Sequence, residues 1–443
     1  MTTTAAGDPL ARAWLDAPVD DAASAALSAG GLEVRRVGQD DRAAYAAWLQ
    51  ATARGFLDSE RTDAQIDASW ERAGHRRPTG VYDATGAMPE IPVGTIGSWI
   101  AQLTVPGERA VPTCAISAVT VAPTHRRRGI ARAMLEGELR EAAALGVPVA
   151  SLTVSESTIY GRFGFAPAAA AASWRLNTKR ATWTGPVPDG RVDFVSRTTA
   201  RALAAAVHER VRLRTPGEVG VPAALWDSLA GTRPDAKDPG TVRAVRYADA
   251  AGEVQGVALY TVRENPDDYP ASSATVTHLV AATDDAYAAL WRCIVELDLI
   301  GEVRASELAV DEPLLWMISD QRAATITVSD HHYVRVLDVR GALEGRTFGA
   351  AGVVALTVED RLGIAGGDFV LEADAEGRGI VRPGAAPEGA VTMSLGVAEL
   401  SAMLLGGASV AMLAAAGRIR CSDVRAASRV FGWHRQPRLS FWY

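Results

Sequence analysis

Ser117-Ala-Val-Thr-Val-Ala-Pro-Thr-His-Arg-Arg-Arg-Gly-Ile-Ala-Arg132 reads as a strand that passes through a short turn into a helix opening with Arg126-x-x-Gly129-x-Ala131. Such a junction directs several unpaired backbone N–H groups, and the positive end of a helix dipole, at one spot. That spot suits a di-anion such as a pyrophosphate. Gly129 lets the backbone approach a ligand with no Cβ in the way. Arg126, Arg127, Arg128 and Arg132 add positive charge around it. Alternation places Val119 and Val121 on one face of the strand, with Ile116, Ala118 and Thr120 on the other. The helix carries an apolar stripe of Ile130, Ala131, Met134, Leu135 and Leu139, and Gly146 sits where a C-terminal cap belongs. The stretch lacks the three glycines of the dinucleotide fingerprint and the Gly-Lys-Ser/Thr ending of a P-loop. An Arg-rich helix start is commonly only a solvated end, so the residues beyond the helix decide between the two readings.

After the helix comes Val147-Pro-Val-Ala-Ser-Leu-Thr-Val154, an apolar run of strand length, then Ser155-Glu156 and Ile159-Tyr160-Gly161-Arg162-Phe163-Gly164-Phe165. Strand, Arg-x-x-Gly-x-Ala helix, strand, then Tyr-x-x-Phe-Gly-Phe resembles the core order of the GNAT N-acetyltransferases. Three segments resemble one branch more closely: Leu103-Thr-Val-Pro-Gly-Glu108, Val121-Ala-Pro-Thr-His-Arg-Arg-Arg-Gly129 and Ser155-Glu-Ser-Thr-Ile-Tyr-Gly-Arg-Phe-Gly164. That branch is the Eis (enhanced intracellular survival) family of actinobacterial acetyltransferases. Beyond the middle of the N-terminal domain the resemblance rests on length, layout and the last residue.

A chain of 443 residues exceeds one core and suggests two to four domains. Net charge is −7, which gives no bulk attraction to nucleic acid and weakly favours cationic substrates such as amines. Cys114, Cys293 and Cys421 are too far apart for a disulfide framework or a zinc site, which fits a reducing cytoplasm. No metal site is expected: His331-His332 is the only close histidine pair, and neighbours on a strand point to opposite faces. The N-terminus shows no secretory pattern. Leu400 to Gly417 is uncharged, but its Ala, Gly and Ser content and Gly406-Gly407 predict a buried, broken helix pair rather than a membrane span.

Residues 1–31, rich in Ala and Asp, read as a loose or partly helical N-terminal extension. Alternation and capping patterns then give a first domain over 32–188, with a strand at Leu32–Val37 and a helix through Tyr45 and Trp48. A second unit over 189–333 repeats that order without an Arg-x-x-Gly-x-Ala helix start. Residues 334–443 form a small α+β domain, strands first and helices later. The resemblance implies a fold class of α/β and α+β: two GNAT-type acetyltransferase domains, the second degenerate, plus a C-terminal sterol-carrier-like α+β domain. It also implies a homo-oligomer, a hexamer.

Acetyl transfer from acetyl-CoA, the implied co-substrate, needs a held cofactor, a neutral amine, a polarised carbonyl and a proton for the departing thiolate. The helix start at Arg127, Arg128, Gly129, Ile130, Ala131 and Arg132 would hold the pyrophosphate. Main-chain groups of Val119, Thr120 and Val121 would pair with the pantetheine arm at a splay after residue 121. By resemblance, Ser155 and Glu156 complete the cofactor site. Tyr160 is the candidate acid, since a phenol can protonate a thiolate at neutral pH; alternatively it only packs beside Phe163 and Phe165. The sequence ends on Leu439-Ser-Phe-Trp-Tyr443, an apolar end that suggests burial. A carboxylate desolvated among Phe441 and Trp442 would be a stronger base than usual. In the Eis family the terminal carboxylate of a C-terminal aromatic residue is the base, and Tyr443 occupies that place; otherwise Phe441–Tyr443 is a packing anchor. Trp442 stands where the best-known member has an acidic side chain, a departure that bears on any preference for polycationic substrates. The expected activity is acetylation of an amine of aminoglycoside, polyamine or lysine type. The alternatives are a non-catalytic acyl-CoA or lipid carrier using the C-terminal domain, and a pseudoenzyme scaffold.

Overall fold

The computed structural model describes residues 8–236 and 238–443. They form two compact units: the residues up to Ala168 with His332–Arg435 and Tyr443, and Ala169–His331 with Gln436–Trp442. The first opens with α1 (Pro9–Asp16) and α2 (Asp21–Ser28), capped by the side chains of Asp8 and Asp20. Residues 1–7 of the expected extension lie outside the described residues. In the rest of it, Asp8 and Asp20 are helix caps, and Trp14 and Leu27 are sealed in the core.

β1 (Glu33–Arg36), α3 (Arg42–Gly55), α4 (Asp63–Trp70), β2 (Arg77–Tyr82), β3 (Gly94–Val105), β4 (Arg109–Val121), α5 (Ile130–Ala144) and β5 (Val149–Thr153) come next in chain order. The strands lie side by side in that order, antiparallel as far as β4, with β4 and β5 parallel. On the other edge of β5 the segment His332–Val336 pairs antiparallel.

β4 does not alternate to its end. Its register against β3 slips between Ser117 and Thr120, and Ala118 has φ +55°. The extra residue of such a bulge resets which face each later side chain meets. Ile116, Val119 and Val121 therefore share the core that α5 covers, while Ala118 packs with Tyr45 and Trp48 of α3 on the opposite face. This corrects the alternation reading, which grouped Ile116 with Ala118 and Thr120. The parallel ladder stops at the same point: Thr113–Ile116 pair with Val149–Leu152, and β4 then runs on paired with β3 only.

The second unit holds β6 (Ala166–Asn177) from Ala169 onward, β7 (Arg191–Phe194), β8 (Val242–Ala248), β9 (Val254–Arg263), β10 (Ser272–Ala281) and β11 (Ile300–Leu308), in sheet order β6-β11-β10-β9-β8-β7. It repeats the first unit down to a register slip between Val276 and His278 and a parallel β10–β11 ladder that stops at Val276↔Ala305. The helix after β10, however, opens on Thr283-Asp284-Asp285. Carboxylates there already answer the helix dipole, so no phosphate cradle remains.

Within the first unit, residues beyond Val336 add a five-stranded sheet from Gly352–Glu359, Gly367–Ala373, Gly379–Pro383, Val391–Gly396 and Ile419–Cys421. The uncharged stretch from Leu400 supplies two short helices, Val397–Met403 and Val410–Ala415, separated by a turn in which Gly406 has φ +87°. Among the described residues no helix is long and apolar enough to cross a membrane. Buried Arg346 donates to the carbonyls of Met403, Leu404 and Phe431, closing helix ends that would otherwise leave acceptors unpaired. Burial pushes its pKa down to about 9.

One polar network ties α1, β2, β3 and α5 together. Arg77 pairs with Glu138 at 2.5 Å and donates to the carbonyl of Pro18, and its guanidinium lies 4.7 Å from the Trp14 ring. Ser98 donates to the other Glu138 oxygen at 2.6 Å and accepts the Trp14 indole N–H at 3.2 Å. Burial raises the Glu138 pKa, against the pull of Arg77 and Ser98. Removing one member strands a buried charge, whereas removing both does not. Glu138→Ala is expected to cost about 3–5 kcal/mol in urea unfolding, with most of that recovered in Arg77→Met/Glu138→Leu. A double variant no better than the single one would show the pair itself to be required.

Candidate active site

The turn after β4 brings the chain to Gly129, which caps α5 in the left-handed conformation, φ +79°. A Cβ added there would meet nothing within 4 Å, so the glycine is required by its backbone angle and not by crowding. No side chain caps α5. The first-turn amides of Ile130, Ala131 and Arg132 thus lack intrahelical partners, as at any helix start. Arg127 is also left-handed, φ +62°, a conformation costly for a side-chain-bearing residue and typical of functional turns.

The arginines are not equivalent. Arg126 and Arg127 are exposed. Arg132 is exposed and 3.9 Å from Glu136. Arg128 donates to the Gly30 carbonyl at 2.8 Å and lies 3.5 Å from Asp83. Asp83 accepts from Thr85 and His125 as well, and these bonds hold its carboxyl below the usual range. Arg128 is therefore partly committed to fixing the turn.

Val119, Thr120 and Val121 form the end of β4 beyond its ladder with β5. The β4–β5 ladder ends at Ile116, not after residue 121 where the splay was expected, and the bulge lies just beyond that end. Thr120 is held at 2.7 Å by Thr95. Because β4 and β5 are parallel, their C-terminal ends emerge on one side. β4 leads there to the Gly129 turn, and β5 leads to Ser155, Glu156 and α6 (Ser157–Tyr160). Ser155 and Glu156 are exposed.

Tyr160 closes α6 and is buried, its ring edge-on to Phe165 at 6.1 Å. Burial, aided by the Glu156 charge, raises its phenol pKa, so the group keeps its proton. A brace with no signal in the sequence fixes the next residues. Arg335, fully buried, donates to the Phe163 carbonyl at 3.2 Å and pairs with Asp360 at 2.6 Å. Asp360 also accepts from the amides of Leu362, Ile364 and Ala365. A Cβ on Gly164, φ +86°, would press on Val397 at 2.8 Å. The C-terminal domain thereby clamps the Tyr160–Gly164 turn.

Tyr443 packs against Trp99, Ala101 and Ala115. Its hydroxyl lies 2.8 Å from Ser151 Oγ and 3.1 Å from His332 Nε2. Its main-chain oxygen accepts from Thr153 Oγ1 at 2.5 Å. Thr153 is the first β5 residue past the ladder, so the last main-chain group of the sequence rests at the lip of the opening. The sequence alone surrounds this terminus with Phe441 and Trp442. In the structure Trp442 is 47% exposed and lies against His331, and the neighbours of Tyr443 come from β3, β4 and β5. Thr153, Ser151 and His332 carry no sequence signal for this role. His331-His332 stands out in the sequence only as a possible ligand pair; His332 instead reaches Tyr443, and His331 reaches the Phe441 carbonyl.

A family model described as an acetyltransferase (GNAT) domain matches residues 33–168, another of that description matches 217–336, and a sterol carrier protein domain matches 339–440. A protein named as an uncharacterized N-acetyltransferase, from Streptomyces avermitilis, is 36% identical over 90% of this chain and 94% of its own length. N-acetyltransferase Eis of Mycobacterium tuberculosis is 35% identical over 77% of this chain and 83% of its own. The crystal structure of Eis1 from Mycobacterium abscessus aligns with a TM-score of 0.78 at 26% identity, covering 93% of this chain and all of that one. Two segments that match acetyltransferase domain models, a sterol carrier domain after them and these full-length relatives together identify the chain: it is an N-acetyltransferase and belongs to the Eis family of the GNAT superfamily.

Proposed function

We propose that the chain transfers the acetyl group of acetyl-CoA to an amine at the opening between β4 and β5, with Tyr160 as general acid and the carboxylate of Tyr443 as general base. The observation that carries this reading is the Thr153 hydrogen bond, which puts the Tyr443 main-chain oxygen at the lip of that opening. Amides of Ile130, Ala131 and Arg132, with Arg127 and Arg128, receive the pyrophosphate at Gly129. Backbone groups of Val119, Thr120 and Val121 receive the pantetheine arm as an added strand, and Ser155 and Glu156 border it.

The Tyr443 carboxylate takes a proton from the acceptor ammonium, and the freed nitrogen attacks the thioester carbon. An unpaired β4 amide stabilises the oxyanion. The intermediate collapses with cleavage of the C–S bond, the thiolate takes the Tyr160 proton, the second proton on the attacking nitrogen restores the Tyr160 phenol, and the Tyr443 carboxyl releases its proton to solvent. The products are the N-acetyl amine and coenzyme A. Acceptors are drawn from aminoglycoside, polyamine and lysine-type amines, and the enzyme works as a cytoplasmic homohexamer.

The carrier alternative is not favoured. Leu400, Met403, Leu404 and Leu405 fill the interior of the C-terminal domain.

Tyr160→Phe is expected to lower kcat about 10²–10³-fold while coenzyme A binding by calorimetry stays within about twofold of wild type. Because burial keeps the phenol protonated to higher pH, loss of this acid should place the alkaline limb of kcat above the ordinary tyrosine value of about 10. A limb well below that value, and absent from Tyr160→Phe, would contradict the assignment. Adding one glycine after Tyr443 moves the carboxylate by a residue, and kcat is expected to fall about 10²-fold or more with unchanged thermal unfolding. Unaltered turnover in that variant removes the carboxylate from the mechanism.

A further inference from the structure

Beside Tyr443 lies a group of polar atoms that acetyl transfer itself does not use. The Trp99 ring packs edge-on to Tyr443 at 5.3 Å. Against the same indole lie the His75 ring, at 5.7 Å, and the Arg76 guanidinium, 5.0 Å from the ring centroid. Each contributes a buried atom with no hydrogen-bond partner: Trp99 Nε1, Arg76 Nε and His75 Nε2. Native proteins rarely leave such atoms unanswered, and three around one ring mark a place where a partner is missing.

The chemistry of that partner is set by the three atoms. Trp99 Nε1 and Arg76 Nε can only donate. Among the described residues no carboxylate forms an ion pair with Arg76 within the distances at which Arg77 and Arg335 find theirs. His75 Nδ1 lies 3.1 Å from the Arg72 carbonyl, and since a carbonyl only accepts, Nδ1 carries the hydrogen and Nε2 presents a lone pair. Burial and the Arg76 charge hold the His75 pKa down to about 4, so the ring is neutral at physiological pH. The set therefore offers a cation with two N–H donors for an oxyanion, and one acceptor for an N–H or O–H.

We propose that Arg76, Trp99 and His75 form a subsite for the carboxylate of the acceptor, so that the preferred substrate is an amine that also bears a carboxylate, of the amino-acid class, and not a polycation. Arg76 and the Trp99 N–H take the carboxylate, and His75 Nε2 takes a hydrogen from the amine end. Against the same indole that packs on Tyr443, the Arg76 charge disfavours a substrate that is cationic throughout. This rests on the reading that the acceptor binds at Tyr443, and it narrows the acceptor class given there.

The test compares matched amines that differ only in the carboxylate: lysine against cadaverine, and ornithine against putrescine, with acetyl-CoA consumption as readout. The wild-type protein is expected to favour the carboxylate-bearing member of each pair about tenfold or more in kcat/KM. In Arg76→Gln that preference should fall to within about twofold of unity, through KM. Hexanoate, which has the carboxylate but no amine, should compete with lysine in the wild-type protein and raise its melting temperature without turnover. Cadaverine and putrescine equal to or better than lysine and ornithine, or no protection by hexanoate, would overturn the subsite. The preference and the hexanoate arm use wild-type protein, so they stand even where Arg76→Gln does not fold. Failure of the catalytic reading looks different: no amine is acetylated, or Tyr160→Phe and the glycine extension leave rates unchanged.

Discussion

The proposed site depends on where the hydrogen bonding between β4 and β5 stops. The ladder ends at Ile116 and Leu152, next to a bulge that spends one residue, Ala118, in a left-handed conformation. A non-glycine residue there is strained, and the sheet tolerates it because Ala118 is packed by Trp48 on one side while Ile116 and Val119 are held in the α5 core on the other. Backbone groups that would otherwise be consumed in the sheet are left to receive an extended ligand. The turn to Gly129 and the run to Tyr160 both leave from the widened end. The second unit keeps the same broken ladder but caps the following helix with Thr283 and places Asp284 and Asp285 in its first turn, where the first unit has Gly129 followed by Ile130 and Ala131.

The C-terminal domain acts on this opening through a buried ion pair. Arg335 and Asp360 are almost fully excluded from water, where a charge is tolerable only if each hydrogen-bonding position is answered. The Phe163 carbonyl supplies one answer, and the amides of residues 362–365 supply others. Displacing the Tyr160–Gly164 turn would leave a buried guanidinium short of an acceptor, so the turn inherits the rigidity of the pair. A domain of sterol-carrier type thus contributes here as scaffolding for a loop of its neighbour.

Much of this is legible in the sequence because local chemistry decides it. Gly129 reads as an open helix start since only glycine adopts φ +79° without cost, and the Tyr160–Phe165 string carries its turn glycine with it. The break at Gly406 distinguishes a buried helix pair from a membrane span for the same reason. The faces of β4 are misread because a bulge leaves no mark in an alternating pattern when the residue concerned is alanine. Arg335, Asp360, Thr153 and the Trp99 group are invisible for a different reason: each matters through a partner distant in sequence, and single residues on strands and loops announce no such pairing. The caps Asp8 and Asp20 are legible in principle, but composition obscures them.

The pairing of His332–Val336 with β5 has a consequence for how the protein is made. β5 is wholly buried in the finished molecule, yet one of its edges stays open until the ribosome has passed Val336. At about 5–20 residues per second, the wait after Thr153 lasts about 10–40 s. Throughout that interval an apolar strand with unpaired amides and carbonyls is available to any other nascent chain, the template on which edge-to-edge aggregation begins. The sheet of the N-terminal domain is thus complete only once His332–Val336 has been made. An open β5 edge during synthesis is the direct result of a strand that arrives late.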